Sequence, residues 1–199
     1  CSASGLRAQA AGKRHGFAFC TSDLNTLLDD PETSAVLIAT RHDLHAEYTA
    51  RVLETDRLVF VEKPLALSLD QLAAVARAML ARPGRTLVGF NRRFAPLAQG
   101  LREHFAGHGP LLLHYRVNAG PVDAASWIND PVQGGGSILG EACHFLDLMT
   151  FLTGARPKTV AASALSSDTR APQADVQATI DFDDGSVGHL LYCRCGDRS

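Results

Sequence analysis

The chain has 199 residues, 46% of them hydrophobic and 20% charged, with a formal net charge of -2. This is a globular composition, long enough for one large domain or two small ones, and it excludes disorder as the default state. The charge gives no footing for nucleic acid or an anionic membrane surface, and no apolar run reaches the roughly 20 residues that span a bilayer.

The first half alternates helix and strand. Residues from Gly5 to Arg14 are alanine-rich and helix-prone, with Gly16 as the stop. Phe17 to Cys20 reads as a short strand, and Asp23 to Asp29 as a short helix capped by Ser22. Ala35 to Ala39 is a buried strand ending at Thr40. His42 to Glu54 is helical, with Leu44, Tyr48 and Val52 on one face. Leu58-Val59-Phe60-Val61 is the next strand, and it runs straight into Glu62-Lys63-Pro64. Ser68 opens a further helix with Gln71 three residues on, a capping box. Its expected buried stripe is Leu69, Leu72, Ala73, Ala76 and Leu80. Thr86 to Phe90 is a third strand, followed by Asn91-Arg92-Arg93.

Strand and helix in alternation with short links predict a parallel sheet, whose strands all end at one edge. Ligands bind at that edge in open α/β sheets. Thr40, Glu62-Lys63 and Asn91-Arg92 each follow a strand directly, so the pattern collects a hydroxyl, a carboxylate, cations and an amide on one rim. An ammonium there is suited to moving a proton to or from a substrate hydroxyl.

From about Leu111 the texture changes. Leu111 to Val117 is a strand, and a long loop through Trp127 and Pro131 leads to Gly134-Gly135-Gly136-Ser137. A helix follows from Ile138 to Leu152, ended by Thr153-Gly154. Thr159 to Ala164, Val176 to Phe182 and Val187 to Cys193 are β-like, with a hairpin signal at Asp183-Asp184-Gly185. The five cysteines (Cys1, Cys20, Cys143, Cys193, Cys195) are odd in number and lack C-x-x-C spacing. They read as reduced, cytoplasmic thiols. His189, Cys193 and Cys195 match no common zinc spacing, so no metal is expected.

Four blocks resemble the glucose-fructose oxidoreductase, inositol dehydrogenase and MocA (Gfo/Idh/MocA) family. They are Ile38-Ala39-Thr40 with His42 and His45, then Val61-Glu62-Lys63-Pro64-Leu65. Gly89-Phe90-Asn91-Arg92-Arg93-Phe94 follows, then Gly134-Gly135-Gly136 leading to His144 and Asp147. The wording around Thr40-Arg41-His42 and Gly140-Glu141-Ala142-Cys143-His144 is similar to a branch often fused to a zinc-type alcohol dehydrogenase domain.

The resemblance implies an α/β fold: a partial, doubly wound parallel (Rossmann-like) sheet lacking its first strands, then an α+β domain with a mostly antiparallel sheet. It implies residues 1–92 as a partial dinucleotide-binding domain and 93–199 as a partial substrate-binding and oligomerisation domain. The implied cofactor is NAD or NADP, the implied substrate a sugar, cyclitol or polyol, and the implied assembly a homo-oligomer in the cytoplasm. Thr40, His42, His45, Glu62, Lys63 and Arg92 would bind the dinucleotide, with Lys63 and His144 as the proton-handling pair. Glu141, Asn118 and Trp127 would line the substrate pocket. A lysine beside the cationic oxidised nicotinamide has its ammonium form disfavoured, and histidine titrates near neutrality unaided.

Two departures stand out. The family's aspartate four residues before the histidine is Gly140 here, and Glu141 is one residue out of step, a rotation of about 100° on a helix. A G-x-G-x-x-G phosphate turn is absent, so the chain is expected to be truncated at both ends, the second of them at Arg194-Cys195-Gly196. A non-catalytic relative that binds a sugar or a partner subunit, and a lyase or hydrolase using bound NAD transiently, are the rival expectations. An apolar edge left by missing strands is expected to drive dimerisation or aggregation unless covered.

Overall fold

A computed structural model describes residues 1–123, 125–165 and 175–195. They form two sheets, each with helices packed on one face. Helix α1 (Gly5–His15) starts at Ser4, whose hydroxyl accepts from Arg7 N, and stops at Gly16 in the left-handed region. The strand expected at Phe17 to Cys20 is irregular chain instead. Extended backbone becomes a strand only beside a partner that receives its hydrogen bonds, and no described strand lies beside it. Helix α2 (Leu24–Leu28) is capped by Asp23 rather than Ser22: Asp23 Oδ1 accepts from Asn25 N at 3.0 Å and Oδ2 from the Thr26 hydroxyl at 3.2 Å. A carboxylate is the stronger acceptor at a helix start.

Strands β1 (Ala35–Ile38), β2 (Leu58–Val61) and β3 (Thr86–Val88) are parallel and lie in chain order, with Ala35 opposite Leu58 and Val59 opposite Thr86. The crossovers are α3 (His45–Leu53), entered through a 3-10 turn at His42–Leu44, and α4 (Leu69–Ala81). Val36, Ile38, Val59 and Val61 face Val52, Leu53 and Leu28 in one core. Ser68 Oγ accepts from Gln71 N at 3.2 Å, while Gln71 Oε1 accepts from Leu67 N at 2.7 Å, so the capping box closes one residue further out than its reciprocal form. The stripe expected to be buried on α4 is exposed, Leu69 at 82% and Leu80 at 81%. Val75, Ala78 and Met79 face the core instead. The helix is apolar on two opposite faces, and periodicity alone cannot choose between them.

A 3-10 turn at Asn91–Phe94 leads to α5 (Pro96–Phe105), a helix not anticipated from the sequence although Pro96 stands in its favoured first-turn place. Strand β4 (Leu112–Asn118) precedes the long loop, which contains a 3-10 turn at Trp127–Asn129. A π-turn at Ile138–Ala142 runs into α6 (Cys143–Thr153). Such turns are frequent at functional sites. Strands β5 (Pro157–Ala164), β6 (Val176–Phe182) and β7 (Val187–Cys193) complete a sheet of order β4-β7-β6-β5. β4 and β7 are parallel and the other pairs antiparallel. Phe145 and Met149 of α6 pack on Ile180, Phe182, Leu190 and Tyr192. Residues 196–199, on which the expected C-terminal truncation rests in part, lie outside the described residues.

Candidate active site

The three parallel strands end at one edge, and Lys63 is its best-held side chain. Lys63 Nζ donates to Gly140 O at 2.6 Å and to Glu141 Oε1 at 2.7 Å. The lysine side chain is 15% exposed and the glutamate 41%. Glu62, beside it, accepts from Lys63 N at 3.3 Å, and a Cβ on Gly89 would stand 3.1 Å from the Glu62 carboxylate. Thr40, at the end of β1, donates from its hydroxyl to Arg41 O at 3.1 Å.

Three histidines surround this edge in different states. His45 is buried, with Nδ1 2.8 Å from Pro64 O and Nε2 3.2 Å from Thr40 O. It thus ties the end of β1 to the residue after Lys63. His42 is buried as well, and its Nδ1 donates to Gly134 O at 2.8 Å. Its ring meets Trp127 edge-on at 4.8 Å. Burial holds the His42 pKa below its ordinary value, against the pull of the Gly134 carbonyl. His144, in the first turn of α6, is buried edge-on to Phe90, and its Nδ1 has no partner among the described residues. Burial first, and then the charges of Lys63 and Arg92, hold its pKa down. Neighbouring Cys143 is pushed up to about 11 by burial, so it stays a thiol.

Of the remaining expected residues, Arg92 is exposed, with its guanidinium carbon 4.6 Å from the Phe145 ring centre. Asn118 closes β4 opposite Cys193. Two arginines were given no role by the sequence reading, although Arg93 and Asp147 both stand in the blocks that resemble the family. Arg93 grips Asp147 through both Nε and Nη2, fastening the turn after β3 to α6. Arg194 is buried, and its Nη1 donates to Ser137 Oγ at 2.5 Å and to Asn129 Oδ1 at 3.1 Å. Neither the blocks holding Arg93 and Asp147 nor an arginine between two cysteines says which acceptor each arginine meets.

Two glycines allow close packing here, one within the loop and one against His42. A Cβ on Gly134 would lie 2.4 Å from Ile128 O, so no side chain fits in that turn. A Cβ on Gly140 would lie 3.2 Å from His42 Cε1. A side chain at 140 would therefore press on the imidazole, which would have to give by a few tenths of an ångström, and it is Glu141 that meets Lys63.

Residues 1–90 match the oxidoreductase family with an NAD-binding Rossmann fold, and residues 111–198 match the GFO/IDH/MocA C-terminal domain. This chain belongs to the GFO/IDH/MocA oxidoreductase family. Within it, levoglucosan dehydrogenase of Pseudarthrobacter phenanthrenivorans is 32% identical over 158 residues, spanning 75% of this chain and 40% of that protein. The scyllo-inositol 2-dehydrogenase (NAD(+)) of Bacillus subtilis is 28% identical over 196 residues, spanning 94% and 56%. A solved levoglucosan dehydrogenase in complex with NADH and levoglucosan superposes with a TM-score of 0.85 at 28% identity, covering 99% of this chain and 57% of that one. The chain spans about half the length of the curated relatives it matches. Among its described residues no helix is long and apolar enough to cross a membrane, and no group of three His, Cys, Asp or Glu is placed to hold a metal.

Proposed function

We propose that the chain is part of an NAD(P)-dependent dehydrogenase that exchanges hydride between nicotinamide and a secondary alcohol or ketone of a sugar, cyclitol or polyol. The observation that carries this reading is Lys63, held at the strand edge by Gly140 O and Glu141, with His144, whose Nδ1 has no partner among the described residues, three residues beyond that glutamate. The levoglucosan and inositol dehydrogenases among its relatives support the substrate class.

The rim fits the nicotinamide-ribose end of the cofactor. Thr40, Glu62 and Lys63 stand at the C-terminal ends of parallel strands, where such ligands bind. The unpartnered Nδ1 of His144 offers a place for a substrate hydroxyl. No G-x-G-x-x-G turn occurs in these 199 residues, so none of them is assigned to the pyrophosphate. The dinucleotide, when bound, supplies the hydride acceptor or donor.

Lys63 moves the proton at the substrate oxygen. Glu141, the more exposed of its two acceptors, holds the Lys63 side chain in position between turnovers. His144, kept neutral by burial, takes the hydrogen bond of the substrate hydroxyl and orients it. His45 and His42 act behind them: one holds Pro64 O, and the other abuts Gly140. Residues 1–92 would serve the dinucleotide and 93–199 the substrate and self-association. NAD is favoured over NADP by the named relatives. Free thiols at Cys1, Cys20, Cys143, Cys193 and Cys195 accord with a cytoplasmic site.

The test is a fluorescence titration with NADH and NADPH, paired with turnover of a panel of neutral and acidic sugars, cyclitols and polyols followed by reduced-nicotinamide absorbance. Saturable binding is expected, with turnover reduced ~10³-fold in Lys63→Met. Undiminished turnover in that variant would overturn the role of Lys63, and the absence of any dinucleotide binding would overturn the reading for this chain.

A further inference from the structure

Arg41 follows Thr40 at the end of β1, yet its side chain is held by the other unit. It donates to Gln133 Oε1, and its guanidinium carbon lies 5.7 Å from the ring centre of Trp127. An indole ring and an amide thus hold an exposed planar cation beside the strand edge. The route inward is short. Trp127 meets His42, His42 abuts Gly140, and the Gly140 carbonyl receives Lys63 Nζ.

What Arg41 lacks is an anion. It makes no ion pair among the described residues, whereas Lys63 has Glu141 and Arg93 has Asp147. Asp130 is near enough to feel its charge, but it makes no direct ion pair with Arg41 and is turned to the loop backbone and to Gln133. Its Oδ1 accepts from Val132 N at 2.8 Å and Gln133 N at 3.1 Å, and its Oδ2 from Gln133 Nε2 at 3.1 Å. The bond to Gln133 uses Nη1 of Arg41, which leaves Nε and Nη2 without a protein acceptor among the described residues. Those two N–H groups form the fork that matches a carboxylate, and Arg93 uses the same pair on Asp147.

We propose that Arg41 is a specificity-determining residue that binds an oxyanion carried by the substrate, so that the substrate is a sugar acid or sugar phosphate rather than a neutral polyol. This rests on the dehydrogenase reading for the word substrate, and names the class it takes. The substrate is favoured over the dinucleotide as the source of the oxyanion because the groups that hold Arg41, Trp127 and Gln133, belong to the second unit, the one assigned above to the substrate.

Trp127 is the only tryptophan, so its fluorescence reports directly on ligands at Arg41. The protein is titrated with D-glucuronate, glucose 6-phosphate, D-glucose, NAD and NADPH, alongside Arg41→Gln and Arg41→Lys. The expected result is saturable change with glucuronate or glucose 6-phosphate at a concentration ~10-fold or more below that for glucose. Arg41→Gln abolishes that preference, and Arg41→Lys, which keeps the charge but not the fork, retains part of it. Unchanged thermal unfolding of Arg41→Gln shows that the loss is local. Three results overturn the proposal: equal response to glucose and glucuronate, no response to either anionic sugar, or an Arg41-dependent response confined to the dinucleotides. Anion preference without hydride transfer would leave the site standing and remove the dehydrogenase reading instead.

Discussion

The two sheets each leave one face open, and the open faces differ in kind. On the parallel sheet the open face carries Leu37, 72% exposed, and Leu87, 54% exposed. On the four-stranded sheet it carries His114, Gln177, Thr179 and His189 around a recess of about 480 Å³. Parallel sheets are normally covered on both faces, while antiparallel sheets tolerate water on one. The lesson is that an alternating strand tells which of its faces water may have, and a strand apolar on both sides does not. The helices differ likewise: α6 is buried on two sides, with Phe145 and Met149 against the sheet and Leu148 and Phe151 against Ala98 of α5, while α4 has two apolar faces of which one is buried.

Mutations that separate the two units sharpen this contrast. The largest stability effect is expected in the second core. Phe145→Ala removes a ring that lies 4.9 Å from Tyr115 and 6.1 Å from Tyr192, centre to centre. Denaturant unfolding should show a loss of about 3–5 kcal/mol, and a loss under about 1 kcal/mol would mean that α6 is not seated on its sheet as described. In the first unit, Val75→Ala should cost about 2 kcal/mol in the same measurement. Across the junction, Glu141→Gln keeps an acceptor for Lys63 but removes its charge. Steady-state kinetics should show turnover lowered about tenfold; an unchanged rate would make the Lys63–Glu141 pair incidental to the chemistry.

A pH series tests the buried histidines on both sides of the junction. The folded pKa values of His42 and His144 lie below the ordinary value of about 6.5. The unfolded chain therefore binds protons that the folded chain refuses. The stability they contribute is present above the unfolded value and is lost as pH falls through the folded values. Denaturant midpoints should drop on acidification below about pH 6.5, and less so in a His42→Gln variant. The smallest effect belongs to the exposed face of α4, where Leu69→Ser should change stability by no more than about 0.5 kcal/mol. A loss comparable to that of Val75→Ala would show that this face is covered in solution.

Much of the site was legible because strand ends are legible. Leu58 to Val61 is a short β-branched and aromatic run stopped by charge and proline, so Lys63 had to stand at an edge. His144 was legible through its motif alone, since nothing in its neighbours marks a buried ring with an unpartnered nitrogen. Arg41, Arg93 and Arg194 were silent, because an arginine's role is set by what accepts from it. Their acceptors, Gln133, Asp147 and Ser137, lie 92, 54 and 57 residues away in sequence.

By itself the sequence determined the alternation of strand and helix, the parallel edge with Thr40, Glu62 and Lys63 on it, and the change to a mostly antiparallel sheet. These follow from local periodicity and from turn residues, whose reach is a few positions along the chain. Tertiary structure decided the rest. It determined that Phe17 to Cys20 has no strand partner among the described residues, that α4 buries Val75 rather than Leu69, and that Gly140 makes room for His42 while Glu141 takes Lys63. Each of these depends on which distant surface arrives first and how closely it packs, and local pattern carries no record of that.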